Sequence, residues 1–536
     1  MGHEHGSGTA NATARDARGG AGPLRWFLGL SLTGRAFVIV GIVLFLVCAL
    51  FAEENWRGKR DWDLCRQQLE KTGALDWNQF IPPPVPDDQN FATTPFLAPL
   101  FDFEREPTRQ IRWRNKEGHD RAVGFAAVLL PTNKNGGLPP TLFNGTLTDL
   151  EGALQLLRTQ TNASSQSSAT NARAEAATEL LTRLTEYDSV LDELRSASQR
   201  PHSRFNIEYD AQDPISILLP HYLVFQRLTR LLELRASAEL ALGRSAEAFE
   251  DVQFMLRVAR STKNEPFLMG TSSRGSIIKR IEQIIWEGLG GRNWSEAQLL
   301  EFEKAIGAYQ PLKELEWALR AERAAFGDTT FRYIRSHKNV LRMWLDSEDG
   351  APLTYLLLGP TGWLYQEQVT YHRLYDERVL LGFDPNAGTV QPRLIDENRE
   401  ALDRELKRSV VWHHTGFARL IFGNLMKTLQ GRAMAESRAR QTVAACALER
   451  YRQENGNYPE SIGLLAPKFV DKPPLDVCDA QPLKYRRLQD GRFLLYSVGW
   501  NQQDDGGKQV MNPEGTDFVP KEGDWVWPAY PNDKNK

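Results

Sequence analysis

Cysteine and histidine are scarce in this chain of 536 residues, with 4 and 9 copies. No two cysteines form a Cys-x-x-Cys pair, so a zinc site of standard spacing is excluded. There is no surplus of either charge. The 65 Lys and Arg stand against 68 Asp and Glu, a net charge of −3, and nothing in the balance points to nucleic acid. Catalytic signatures are missing too. There is no Gly-x-Ser-x-Gly, no His-Glu-x-x-His, no phosphate-binding Gly-x4-Gly-Lys-Ser/Thr, and no Ser-x-x-Lys in a convincing context. The abundant carboxylates are scattered along charged helical faces, where solvated residues belong. Disorder of the whole chain is excluded as well, because aromatics make up 10% and there are 14 Trp.

Long apolar runs are also scarce, with one exception. Ala36–Ala52, AFVIVGIVLFLVCALFA, carries no charge. Its 17 residues make a helix of about 26 Å, enough for a hydrocarbon core of roughly 27–30 Å. Arg35 can snorkel at one end, and Trp26 and Trp56 fall near the two interfaces. Cleavage after Ala52 would place Leu50 where a small residue is wanted, and Phe45-Leu46-Val47 before Cys48 does not suit lipidation. The expectation is an uncleaved anchor in the lipid bilayer. Arg15, Arg18, Arg25 and Arg35 before it are matched by Arg57, Lys59, Arg60 and Arg66 after it, so charge counting does not orient it. Arg35 abuts the first end and Glu53-Glu54 the second, which favours a short cytoplasmic tail and a large extracytoplasmic part.

The expected organisation has six parts. Residues 1–35 read as a disordered cytoplasmic tail; His3-Glu4-His5 within it reads as solvated. Residues 36–52 are the transmembrane helix. Residues 53–105 hold a juxtamembrane helix, Asp61–Thr72, and a proline-rich stretch, Ile81–Ala92, extended by its prolines and continuing into Pro95–Phe101, apolar enough to lie against a folded surface. Residues 106–160 read as a small mixed β/α region with strands at Gln110–Arg114 and Ala122–Leu130. Residues 161–400 form a helical bundle or short solenoid after a flexible loop at Asn162–Asn171. Apolar stripes run through Leu180, Leu184, Leu191 and Leu194, through Leu228, Leu231, Leu232 and Leu240, through Ala248, Val252, Met255 and Ala259, and through Ile277, Ile281 and Ile284. Ser295 and Gln298 predict a capping box. Gly243, Ala248 and Met255 resemble half of a tetratricopeptide repeat, without a 34-residue period. Leu353–Leu358 leads into a turn and an aromatic cluster, Gly359–Tyr365, expected to be a packing point. Residues 401–536 hold a long helix, broken around His413–Gly416, and an α+β module. The fold class is mainly α.

Two resemblances add to this. The proline-rich stretch after the anchor resembles that of uncharacterised single-pass bacterial proteins, which implies a bacterial envelope, with the anchor in the inner membrane. In the C-terminal module a helix ends at Ala447-Leu448-Glu449-Arg450-Tyr451, followed by Gly456-Asn457-Tyr458-Pro459, Leu464-Leu465, Pro474-Leu475-Asp476 and Pro482–Tyr485. Two strands then flank the turn Asp490-Gly491, with Phe493, Leu495 and Ser497 alternating on the second, and Asp504-Asp505-Gly506-Gly507 follows. Over about residues 440–510 this order resembles the globular half of the major pseudopilins of type II secretion systems. The resemblance implies a helix packed on a small antiparallel sheet, and a calcium site whose matching carboxylates are Asp504 and Asp505. Pseudopilins start with a cleavable leader and an apolar helix that runs straight into this module. Here the anchor lies far upstream, and Gly416–Leu429 carries Arg419 and Lys427, so assembly into a pseudopilus is not expected.

The expected function is that of a membrane-anchored, non-catalytic envelope scaffold that contacts other proteins. One alternative is an accessory of a secretion or pilus-like system. The other is a membrane-anchored hydrolase, which requires a cleft where acids, or an acid and a histidine such as His413 or His221, converge with shifted pKa values. His413 and His414 are adjacent and cannot share a metal as an i,i+4 pair can. A disulfide among Cys65, Cys446 and Cys478 stays open.

Overall fold

The computed structural model describes residues 23–106, 111–130, 145–161, 172–211, 216–337, 356, 359–513 and 518–530. The tail through residue 22, the loop 162–171 and nearly all of 353–358 lie outside the described residues. Among these residues the architecture is mainly helical.

After α1 (Pro23–Gly29), the apolar run lies in α2 (Leu32–Lys71), which is 40 residues long and about 60 Å end to end. It is long and apolar enough to cross a bilayer, and its apolar window is uncovered by the rest of the chain. The sequence predicted two helices here, an anchor and a short one at Asp61–Thr72; they are one. Nothing between Ala52 and Asp61 stops a helix except Gly58, whose cost of about 1 kcal/mol is small.

The proline-rich segment is extended, then folds through short 3-10 turns that bury Phe91, Phe96, Leu97, Leu100 and Phe101, as their apolarity requires. The two strands β1 (Phe103–Arg105) and β2 (Ile111–Trp113) pair antiparallel. The second predicted strand, Ala122–Leu130, is not one. Asn115 caps a helix, α3 (Lys116–Gly124), by accepting the Gly118 N–H at 2.9 Å, and a 3-10 turn follows at Ala127–Leu129. Ala122, Phe125, Ala126, Leu129 and Leu130 are buried, and a continuous apolar run has no alternation to separate strand from helix.

The body continues with α4 (Leu150–Thr161), α5 (Ala172–Leu184), α6 (Asp188–Ala197), α7 (His221–Ala241), α8 (Ser245–Ser261), α9 (Leu268–Gly290), α10 (Glu296–Gly307), α11 (Pro311–Ala324), α12 (Phe331–Ser336) and α13 (Gly362–Leu374). Gly243 turns the chain from α7 to α8 at φ +73°, and the Ser295–Gln298 capping box opens α10. The four apolar stripes face inward. Next come the strand pair β3 (Phe383–Asp384) and β4 (Thr389–Val390), then α14 (Pro392–Leu406), α15 (Val410–His413) and α16 (Gly416–Asn455). The predicted break near His413–Gly416 separates the last two, with His414 at φ +50°.

The spine is α16. Its first half buries Phe417, Phe422, Leu425 and Leu429 among α11 to α14; Ala439 and Cys446 join the core of α5 to α10. Ala444, Ala445 and Leu448 sit under the C-terminal sheet. That sheet is β5 (Lys484–Arg487), β6 (Phe493–Ser497) and β9 (Trp525–Val526), all antiparallel, beside the pair β7 (Gln509–Met511) and β8 (Phe518–Gly523). The module is welded to the body: Trp286 of α9 donates its indole N–H to the Pro528 carbonyl at 2.9 Å. All four cysteines are free, with Cys446 and Cys478 buried.

Candidate functional site

The polar half of α2 is where the body meets this long apolar helix. Gly58 and Gly362 lie backbone to backbone, and a Cβ on either would collide with main-chain atoms of the other helix. Around that contact, the Gly362 N–H donates to Asn55 Oδ1 at 2.7 Å, the Trp363 indole donates to Glu54 Oε2 at 3.1 Å, and Gln366 Nε2 donates to Asp61 Oδ2 at 3.0 Å. Arg57 pairs with Glu54 on the same helix. Burial acts to raise the Glu54 carboxyl, but the bonds from Arg57 and Trp363 prevail and hold it below its usual value. The predicted packing point at Gly359–Tyr365 is therefore real, and its partner is α2.

Further along α2, Trp62 is buried and stacks on the His372 ring of α13, centroids 5.6 Å apart. Beyond them a cleft of about 940 Å³ opens between α2, α11 and α13, lined by Leu64, Cys65, Phe80, Trp317, Arg323 and Asp376 among others. Arg323, itself buried, grips both oxygens of Asp376 at 2.7 Å. Its Nε donates to His372 Nδ1 at 3.2 Å, and His372 Nε2–H donates to the Gly327 carbonyl at 3.2 Å. Burial, with the Arg323 charge beside it, pushes His372 down to about 3. Burial raises the Cys65 thiol. Both imidazole nitrogens are engaged and the ring is neutral, so His372 has no free position from which to pass a proton to a ligand. At the cleft, Arg320 pairs with Glu316 and Arg373 with Glu377. This arrangement can bind; it offers no free acid–base pair.

The histidines named from sequence lie elsewhere. His221 is fully buried, with Nε2 against the Glu265 carboxylate at 3.0 Å and its ring stacked on Phe205. His413 is exposed. His414 sits beside Trp363, and burial pushes it down to about 4 although Glu54 opposes the shift. The exposed indole of Trp412 (82% accessible) is two residues away.

Asp504 and Asp505 lie in the loop between β6 and β7. Asp504 Oδ1 accepts the Tyr496 hydroxyl at 2.9 Å and the Gly506 N–H at 3.0 Å, which hold its carboxyl below the usual range. Asp505 Oδ2 accepts from Asn501 Nδ2 at 2.9 Å. The neighbouring Asp524 accepts the N–H groups of Gly507 at 2.6 Å and Asp505 at 3.3 Å. Among the described residues, no group of three His, Cys, Asp or Glu is arranged to hold a metal ion.

Sequence reasoning missed Gly58, Trp62, Arg323 and His372. The available signal was Gly58, an isolated glycine in a helical run, which marks a close backbone approach without naming its partner. No protein-family model, no curated protein and no solved structure matches this chain.

Proposed function

We propose that this chain is a single-pass protein of the bacterial inner membrane, with a cytoplasmic tail and an extracytoplasmic body, that acts as a non-catalytic scaffold for another envelope protein. The carrying observation is the continuity of α2: its apolar half lies bare and its polar half is clamped into the body by Gly58, Gly362 and Trp62. A body held this way keeps its surfaces at a set height and angle above the bilayer, so its task is positional. The cleft along α2 supports binding rather than chemistry, because the charges of Arg320, Arg323 and Arg373 are met by carboxylates. Leu64 and Trp317 expose apolar surface beside Arg320 and Glu377, a mixture that suits an amphipathic segment of a partner protein.

The test is site-specific photocrosslinking in cells, with the reactive residue at Leu64 or Trp317 of the full-length protein. The expected result is one discrete adduct with an envelope protein at both positions. A secretion or pilus component in that adduct would make the C-terminal resemblance functional. No protein adduct at either position would overturn the scaffold reading. Calcium at Asp504 and Asp505 is a separate proposal that rests on the pseudopilin resemblance; a calcium-dependent rise in melting temperature that Asp504→Asn removes supports it, and no rise rejects it.

A further inference from the structure

Most buried or half-buried arginines among the described residues meet a carboxylate. Arg195 and Arg235 share Asp251, Arg280 meets Glu233, Arg450 meets Glu303 and Arg323 meets Asp376. Arg227, Arg335, Arg419 and Arg432 instead donate to neutral acceptors, and in one groove several such cations converge. The loop 198–204 after α6, the proline-rich strand and the C-terminal end of α8 enclose a groove of about 400 Å³. Arg200, Arg204, Arg257, Arg260 and His202 line it, and no Asp or Glu does among the described residues. None of the four arginines forms an ion pair with a described residue. In a chain of net charge −3 this is a local reversal of sign.

Three of the guanidinium groups are held in place by neutral acceptors. Arg200 Nη1 donates to the Asn90 carbonyl at 2.8 Å, Arg204 Nε to the Pro82 carbonyl at 2.9 Å, and Arg257 Nε to Ser198 Oγ at 2.9 Å. The loop that carries two of them is itself fixed by backbone bonds: Phe91 N–H to the His202 carbonyl at 2.9 Å and His202 N–H to the Gln89 carbonyl at 3.2 Å. The cations are thus positioned by groups that do not neutralise them. Arg257 and Arg260 are i,i+3 neighbours on one helix face, so their like charges repel. The helix dipole accounts for Arg260 in the last turn of α8, but not for the other three. Burial lowers the Arg257 pKa; Glu250 opposes this at a distance, and Arg195 and Arg260 add to it. Ser203 Oγ, also in the groove, is buried without a hydrogen-bond partner among the described residues.

We infer that this groove is an anion-binding site for a compact dianionic group, a phosphate or phosphomonoester. Planar guanidinium forks match phosphate oxygens in pairs, and several converging on one volume favour a dianion over a lone carboxylate. Pro82, Pro83 and Val85 give the groove an apolar wall against which the organic part of a phosphomonoester fits. The size is within the range of small-ligand sites.

The experiment uses full-length protein in nonionic detergent. Melting temperature and calorimetry are followed against inorganic phosphate and glycerol 3-phosphate, with sodium chloride at equal ionic strength as reference. The expected result is saturable binding of phosphate or its ester, weakened at least tenfold in Arg204→Gln and in Arg260→Gln, and unchanged in Arg320→Gln at the distant cleft. Arg260 is exposed, so its variant keeps the test valid if the Arg204 variant fails to fold. Tighter binding of glycerol 3-phosphate identifies a phosphorylated organic ligand, and equal binding identifies the phosphate group itself; both support the site. A response no larger than that of sodium chloride, or one that survives Arg260→Gln, would overturn it.

Discussion

Gly58 of α2 and Gly362 of α13 touch through their backbones, 307 residues of chain separating the nearby pair Asn55 and Gly362 that are hydrogen-bonded beside them. A glycine in a helix costs about 1 kcal/mol relative to alanine, and here the contact it permits recovers the loss. Gly58→Ala is expected to destabilise the protein by about 1–3 kcal/mol through forced separation of the two helices. Gly41 lies on the same helix with nothing within 4 Å of where a Cβ would stand, so Gly41→Ala is expected to be neutral or mildly stabilising. Thermal unfolding of both variants in detergent checks the contrast.

His372 makes the joint acid-sensitive. Its pKa is about 3 in the folded protein, against an unfolded value near 6.5. Between those limits the unfolded chain binds the proton and the folded one resists it, so stability rises with pH across this window. The contribution is complete above about 6.5 and is lost as pH falls towards 3, at up to roughly 1.4 kcal/mol per pH unit. Denaturant melts at pH 7 and pH 4.5 are expected to show this loss, with a smaller loss in His372→Gln.

A second joint holds α6, α7 and α8 together. Asp251 is buried and accepts from Arg195 Nη2 at 3.0 Å and from Arg235 Nε and Nη2 at 2.8 Å each. Removing the carboxylate leaves two partly buried guanidiniums unmatched. Asp251→Ala is expected to cost about 3–5 kcal/mol, measured by equilibrium unfolding.

In the proposed membrane orientation, Trp412 marks the edge of the body that faces the bilayer. His414 and Trp363, its neighbours, lie at the level of Glu54, two residues past the apolar run. An exposed indole there belongs to the headgroup layer. A spin label at Trp412→Cys, in protein reconstituted into lipid nanodiscs, is expected to report a depth at the headgroups. The substitution itself is expected to change stability by no more than about 0.5 kcal/mol.

Local features were legible in the sequence because their causes are local. The Ser295–Gln298 cap, the Asp490-Gly491 turn, the break at His413–Gly416 and the inward stripes each depend on residues a few positions apart. The Ala122–Leu130 segment reads as a strand but is a helix end and a 3-10 turn, because a short continuous apolar run carries no periodicity to tell the two apart. The Gly58–Gly362 joint and the His372–Arg323–Asp376 cluster were not legible, since each is assembled from distant segments and nothing in either segment names the other. The carboxylates of Asp504 and Asp505, named from the pseudopilin resemblance, accept from Tyr496 and Asn501.

The most direct test of the central claim, a body clamped to its own membrane helix, is crosslinking of Asp61→Cys with Gln366→Cys in intact cells. Cys48 and Cys65 are replaced by serine, a short bis-maleimide is added, and the linked peptides are read by mass spectrometry from the membrane fraction. The account predicts a high-yield intramolecular link between the two positions in membrane-bound protein. Recovery of the protein in the soluble fraction, or membrane-bound protein without that link, would contradict it.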